Sequence, residues 1–168
     1  MRHVVKLELS RHPTLSNRRE ARLADRDYAR SMIKKLSHVN VFVLDQDRAK
    51  ESYTEKLGFE ARSDVTIDGF RWLTVGPVDQ PDLNILLAKP APPMFSEEDA
   101  EALRGLIAKG AMAGGVIETD DCQRAYEDLK AKGVTFLQEP AERPYGIEAL
   151  LRDDSGNWFS LTQRVGSG

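Results

Sequence analysis

The 168-residue chain is poor in cysteine and histidine, with one cysteine and three histidines. A lone cysteine excludes an intramolecular disulfide framework, and it also excludes a cysteine-rich zinc or iron–sulfur site. Apolar runs are short, and none approaches the roughly 20 residues that a membrane-spanning helix requires. The apolar segment of a secretory signal is also missing at the start. These absences favour a cytoplasmic protein stabilised by an ordinary hydrophobic core.

Charge is distributed unevenly along the chain. Residues 1–31 contain eight Lys or Arg and four Asp or Glu, a balance of +4, so the remainder carries −7. We expect 1–31 to be a basic, poorly packed extension and 32–168 to be a single folded domain. The acidic domain argues against a nucleic-acid surface, and no membrane partner is expected for it. The basic segment leaves open an arm for nucleic acid or membrane, or a transit segment.

The first half of the folded region reads as a strand, a helix and three strands. Residues 36–44 alternate with period two, which places Val39, Val41 and Val43 on one face and His38, Asn40 and Phe42 on the other. A helix follows from Asp45 and ends at Gly58. Turn residues then separate strand patterns at 59–67, 70–76 and 82–88.

The second half repeats this order after a connecting helix within 90–111. Strands are predicted at 113–119, 134–138, 146–152 and 157–163, with a helix from Asp120 to Gly133 after the first of them. A gap-free alignment through the two helices places His38 opposite Gly114, and Asn84 falls opposite Ser160 in the last strands. The pattern predicts an α+β fold of two tandem βαβββ modules, 33–89 and 112–164, that form a cupped mixed sheet. One helix covers only one face of each sheet, so the other face is buried by the partner module or forms a cavity. A homodimer is left open.

Three segments resemble the vicinal-oxygen-chelate superfamily, which includes glyoxalase I, bleomycin-resistance proteins and extradiol dioxygenases. They are Leu36–Val41, the stretch from Asp45 through Tyr53 to Phe59, and Asp153-Asp154-Ser155-Gly156-Asn157. The last is similar to the family's Asp-Pro-x-Gly-Asn turn, with Asp154 in place of proline. The resemblance implies a glyoxalase-like fold around a small-molecule site, but one fold hosts many chemistries.

The resemblance also implies where a metal would bind. Metal-dependent members place His or Gln, Glu, His and Glu on the first and last strands of the modules. The matching positions here are His38, Asn84, Gly114 and Ser160, and only His38 fits. One histidine with neutral oxygens would hold a divalent ion poorly, so we expect no metal and no other cofactor. A rearranged set of His38, Glu148 and Glu118 is the alternative.

Strand parity selects the candidate site residues. We expect His38 and Glu148 to act as an acid–base pair if the protein is an enzyme. The predicted ligand-binding residues are Asn40, Phe42, Trp72, Asn84, Glu118 and Ser160. Apolar walls with a few convergent polar groups are typical of small-molecule pockets. The favoured function is metal-free binding of an aromatic or drug-like compound in the cup. The alternative is a metal-dependent lyase, isomerase or dioxygenase with a non-standard ligand set around His38.

Overall fold

The computed structural model describes residues 33–166, so the predicted basic extension lies outside the described residues. Residues from Ser37 onward form one compact unit. Its elements are β1 (His38–Phe42), α1 (Gln46–Glu51), a π-helical turn (Ser52–Lys56), β2 (Glu60–Ile67), β3 (Phe70–Gly76), β4 (Asn84–Ala88), α2 (Glu97–Ala108), β5 (Ala113–Glu118), α3 (Cys122–Ala131), β6 (Thr135–Arg143), β7 (Gly146–Arg152) and β8 (Trp158–Arg164). None of the helices described is long and apolar enough to cross a membrane.

The strands form two four-stranded mixed sheets, in the orders β1-β4-β3-β2 and β5-β8-β7-β6. In each sheet the first and last strands of the module pair in parallel, and the other neighbours are antiparallel. This confirms the predicted α+β fold of two βαβββ modules. The connecting helix α2 is shorter than the 90–111 stretch that contains it, because Pro90, Pro92 and Pro93 precede its Ser96 N-cap.

One hydrophobic core joins the modules through the helix-facing sides of both sheets. Buried Val41, Val43 and Leu87 from the first sheet share it with Leu151 and Leu161 from the second. The opposite faces of the sheets, which carry the predicted site residues, are therefore directed away from the core. We call these two opposite faces the cup faces.

A buried polar network around Asp153 fixes one edge of the contact between modules. Asp153 Oδ2 accepts hydrogen bonds from Tyr53 Oη at 3.0 Å and Asn157 Nδ2 at 2.8 Å. Its Oδ1 accepts from the backbone N–H groups of Ser155, Gly156 and Asn157. Burial together with the negative charge of Asp153 raises the pKa of Tyr53. The turn after β7 is thus attached to the helical segment of the first module.

The strand register corrects the alignment of the two repeats. Val43 N–H donates to Ala88 O in the first module, and Thr119 N–H donates to Thr162 O in the second. Ala88 and Thr162 are therefore equivalent positions of the two last strands. Asn84 and Trp158 each lie four residues before them, so Asn84 is equivalent to Trp158 and not to Ser160. The turn between the last two strands spans residues 77–83 in the first module but only 153–157 in the second. The turns differ in length by two residues, so the gap-free alignment was wrong at β8.

A β-bulge also changes the residue of β5 that lies level with His38. The register of β5 shifts between Ala113 and Gly115, which leaves Gly114 as the extra residue. A Cβ atom at Gly114 would overlap the ring of Phe159, which belongs to the core. Gly114 therefore faces the core, and Ala113 is the residue of β5 that pairs with Trp158.

Candidate functional site

The cup face of the first sheet carries a row of aromatic rings. Trp72 lies at the centre, with its ring centroid 5.6 Å from that of His38 and 6.4 Å from that of Phe70. Val65 and Ile67 pair with Trp72 and Phe70 across the sheet, and their side chains are 48% and 61% exposed. Large apolar residues left this exposed beside each other on one sheet face are typical of a surface that another molecule covers.

Polar groups border this aromatic surface along β1 and β4. His38 pairs with Asn84 in register, as the sequence predicted for two residues of one face. His38 Nδ1 lies within hydrogen-bonding distance (3.0 Å) of Ser37 Oγ, and the Asn84 amide reaches the Ser37 carbonyl only at 3.5 Å. Asn40 is exposed on the same face. The Phe42 ring lies edge-on to Phe95, 5.3 Å away, so the segment before α2 closes this end of the face.

The cup face of the second sheet carries a polar cluster centred on Glu148. Its carboxylate accepts hydrogen bonds from Ser160 Oγ at 2.6 Å and from Arg143 Nε at 3.2 Å. These bonds, with a further one from Tyr145, lower the pKa of Glu148. Glu148 is therefore a fixed, ionised acceptor, which makes it a weaker proton acceptor than a free carboxylate.

Arg143 and Tyr145 were not among the residues predicted from the sequence. Arg143 pairs with Gly146 and shares the face of Glu148, but two register shifts in β6 hide this from a period-two reading. Pro140 adds to the difficulty, because proline argues against a regular strand except at a sheet edge or bulge. β6 is the edge strand of its sheet, which is where such a residue is tolerated.

The remaining predicted site residue, Glu118, is 61% exposed and lies 2.6 Å from Arg164 in an ion pair. The predicted set is thus divided between the two sheets, with His38 on the first and Glu148 on the second. Their hydrogen bonds go to Ser37 for His38 and to Ser160 and Arg143 for Glu148. The acid–base pair stays a prediction.

A separate cleft of about 1040 Å³ lies between the modules on the core side of the sheets. Its apolar walls include Val39, Ile85 and Leu129. The cleft occupies the place on one edge of the molecule that the Asp153 network occupies on the other. In the second module Leu129 stands where the first module has Tyr53. Pro77 is the first residue after β3, as Asp153 is the first residue after β7. Pro77 cannot make the hydrogen bonds that Asp153 makes, which explains why this edge is open.

A family model described as the Glyoxalase/Bleomycin resistance protein/Dioxygenase superfamily matches residues 35–161. The chain belongs to this superfamily. It is 36% identical over 131 residues to the uncharacterized protein YurT of Bacillus subtilis (strain 168), which covers 77% of this chain and 99% of that protein.

Solved structures are similar to the chain as well. A crystal structure of UcmS2 has 55% sequence identity and a TM-score of 0.75, covering 79% of this chain and 99% of that one. TnmS3, an antibiotic binding protein from Streptomyces sp. CB03234, has 28% identity and a TM-score of 0.64, covering 80% of this chain and 98% of that one.

The corrected register changes which residues of the two modules stand at the same level of their sheets. The row at the level of His38 and Asn84 in the first sheet is matched in the second by Ala113 and Trp158. Ser160 lies one level further along, opposite Val116. Across residues 33–166, no three His, Cys, Asp or Glu side chains are grouped closely enough to hold a metal ion.

Proposed function

We propose that this protein binds and sequesters an aromatic, drug-like small molecule in its cup without the help of a metal ion. The observation that carries the proposal is the aromatic row on the first cup face, in which His38 is exposed and Trp72 and Phe70 are half-buried. Stacked and edge-on contacts with such rings favour flat aromatic ligands. The description of TnmS3 as an antibiotic binding protein supports a ligand of this class.

The metal-free part of the proposal is supported by the donor chemistry. Catalytic metal sites in proteins need about three protein ligands, commonly histidine or carboxylate. The positions that the resemblance implies, His38, Asn84, Gly114 and Ser160, offer one imidazole, one amide, no side chain and one hydroxyl. Ala113 and Trp158, which stand at the level of His38 and Asn84 in the second sheet, would add only a methyl group and an indole. This set does not fit a divalent metal.

The proposal includes a homodimer. Val65 and Ile67 on the first cup face and Val116 on the second, which is 61% exposed, leave apolar surface open on both faces of the described residues. A second copy would bury them and turn two open faces into a closed pocket. Light scattering of the purified protein is expected to give twice the 18.8 kDa chain mass. A monomer at micromolar concentration would remove this part of the proposal.

A ligand screen tests the binding function. Thermal unfolding is measured with a panel of aromatic antibiotics that includes an anthracycline and bleomycin, with aliphatic sugar antibiotics as the matched controls. At least one aromatic compound is expected to raise the melting temperature, since a ligand at 100 times its Kd adds about 2.7 kcal/mol to the native state. Stabilisation by the sugar antibiotics alone would contradict the proposal.

A further inference from the structure

Arg152 is a cation on the second cup face, and within residues 33–166 it has no hydrogen-bond or ion-pair partner. It follows Glu148 and Leu150 at two-residue intervals along β7 and pairs with Trp158 in register. Its Nε atom is buried and has no hydrogen-bond partner among residues 33–166. The two Nη atoms make no hydrogen bond or ion pair with that part of the chain either, and they retain solvent access.

The corresponding place in the first module shows what a structural arginine looks like in this fold. Gly76 ends β3 as Arg152 ends β7, and the guanidinium of Arg62 fills the space above it. Arg62 donates four hydrogen bonds of 2.6 to 3.0 Å to backbone carbonyls of the following turn. Their acceptors are Pro77, Gln80, Pro81 and Leu83. Arg62 thus holds its turn together, whereas the guanidinium N–H groups of Arg152, at the matching position, make no hydrogen bond within residues 33–166.

The structure keeps the Arg152 guanidinium in place without hydrogen bonds. Gly110, in the connection after α2, has φ +71°, and a Cβ atom there would overlap the guanidinium. Any other residue at this position would displace the Arg152 side chain. On the strand side, Trp158 is the register neighbour. The guanidinium therefore lies against Gly110, and Trp158 is the neighbouring residue on the same face of the sheet.

A buried donor without an acceptor is unfavourable, because the group has lost its water and gained nothing in exchange. Such a donor at a binding face is ready for an acceptor that arrives with a ligand. A guanidinium matches the two oxygens of a carboxylate or a related oxyanion, and an adjacent indole packs against an aromatic ring.

We propose that Arg152 and Trp158 form an anion subsite of the cup, which takes the acidic group of an aromatic ligand. The ligand class is then an aryl carboxylate or similar aromatic oxyanion. This rests on the proposed function, because the subsite recognises one end of the aromatic compound that the cup binds.

The test compares two probes of the same shape, pyrene-1-carboxylate and pyrene-1-carboxamide, by fluorescence titration of the full chain at pH 7.5. The wild-type protein is expected to bind the carboxylate at least about tenfold more tightly, as hydrogen bonds to charged groups usually allow. Arg152→Met should remove this preference and leave carboxamide affinity within about twofold, since the amide does not need a cation. Arg124→Met is the matched control, because Arg124 lies 79% exposed on α3, and it should change neither affinity.

The outcomes separate the subsite from the function. Equal binding of both probes by the wild type overturns the subsite alone, whereas binding of neither overturns the proposed function and the subsite with it.

Arg152→Met is expected to melt no lower than the wild type, because it removes an unpaired buried donor. A lower melting temperature, or conversion of a dimer to a monomer, would make Arg152 a structural or interface residue and overturn the subsite. If Arg152→Met does not fold, Arg152→Lys is measured instead, because lysine keeps the positive charge but lacks the planar pair of donors that arginine offers to two oxygens. An undiminished preference for the carboxylate in that variant would also count against the proposal.

Discussion

Asp153→Ala is expected to lower the free energy of unfolding by about 3–5 kcal/mol. The carboxylate is 8% exposed and accepts hydrogen bonds from Tyr53, Ser155, Gly156 and Asn157. Alanine would leave those donors buried without an acceptor, including the hydroxyl of fully buried Tyr53. The loss also loosens the turn after β7, whose Asn157 amide donates to Phe42 O across the module boundary at 2.9 Å.

Asp154→Ala supplies the matched control for this prediction. Asp154 is the next residue, and its carboxylate makes a surface ion pair with Arg48, whose side chain is 69% exposed. Exposed pairs of this kind contribute under about 1 kcal/mol. Urea unfolding followed by circular dichroism measures both variants. Equal, small losses for Asp153→Ala and Asp154→Ala would show that the buried network does not hold the modules together.

Trp72→Ala is expected to lower the affinity for an aromatic ligand by about 100-fold, the usual effect of removing a central tryptophan from a binding surface. Its ring is the one that contacts both His38 and Phe70, so its removal divides the aromatic row. Isothermal titration with the most stabilising compound of the antibiotic panel gives the affinity, and circular dichroism verifies that the variant is folded.

Leu106→Ala is the control for Trp72→Ala. Leu106 is a large apolar residue, 45% exposed on α2, and lies outside the proposed site. Its replacement should change the affinity by less than about twofold, as expected away from a binding surface. If a folded Trp72→Ala variant keeps wild-type affinity, the ligand binds elsewhere. The cleft that Leu129 lines would then be the first place to examine.

Hydrophobic periodicity was sufficient to predict the order and approximate bounds of the strands, because each strand has one buried and one open face. The observed β3 and β7, at Phe70–Gly76 and Gly146–Arg152, coincide with the predicted 70–76 and 146–152. The first helix was predicted to run unbroken to Gly58. Instead it widens into a π-helical turn at Ser52–Lys56, which contains the Tyr53 that reaches Asp153.

The site was less predictable than the fold, because its geometry depends on irregularities that add single residues. The bulge at Gly114 turns its position toward the core, and the shorter second turn moves Trp158 to the level of Asn84. Arg152 shows a further limit. Its strand position can be read from the sequence, but the absence of a partner for its guanidinium is visible only when the described residues are placed in three dimensions.

Calorimetric titration with the most stabilising aromatic compound, with and without EDTA, tests the central claim most directly. The account predicts saturable binding with the same affinity in both conditions, and no change on addition of Zn²⁺, Ni²⁺, Mn²⁺ or Fe²⁺. Binding that disappears in EDTA, returns with one of these metals and is lost in His38→Ala would contradict metal-free sequestration. That result would support the alternative of a metal-dependent enzyme centred on His38.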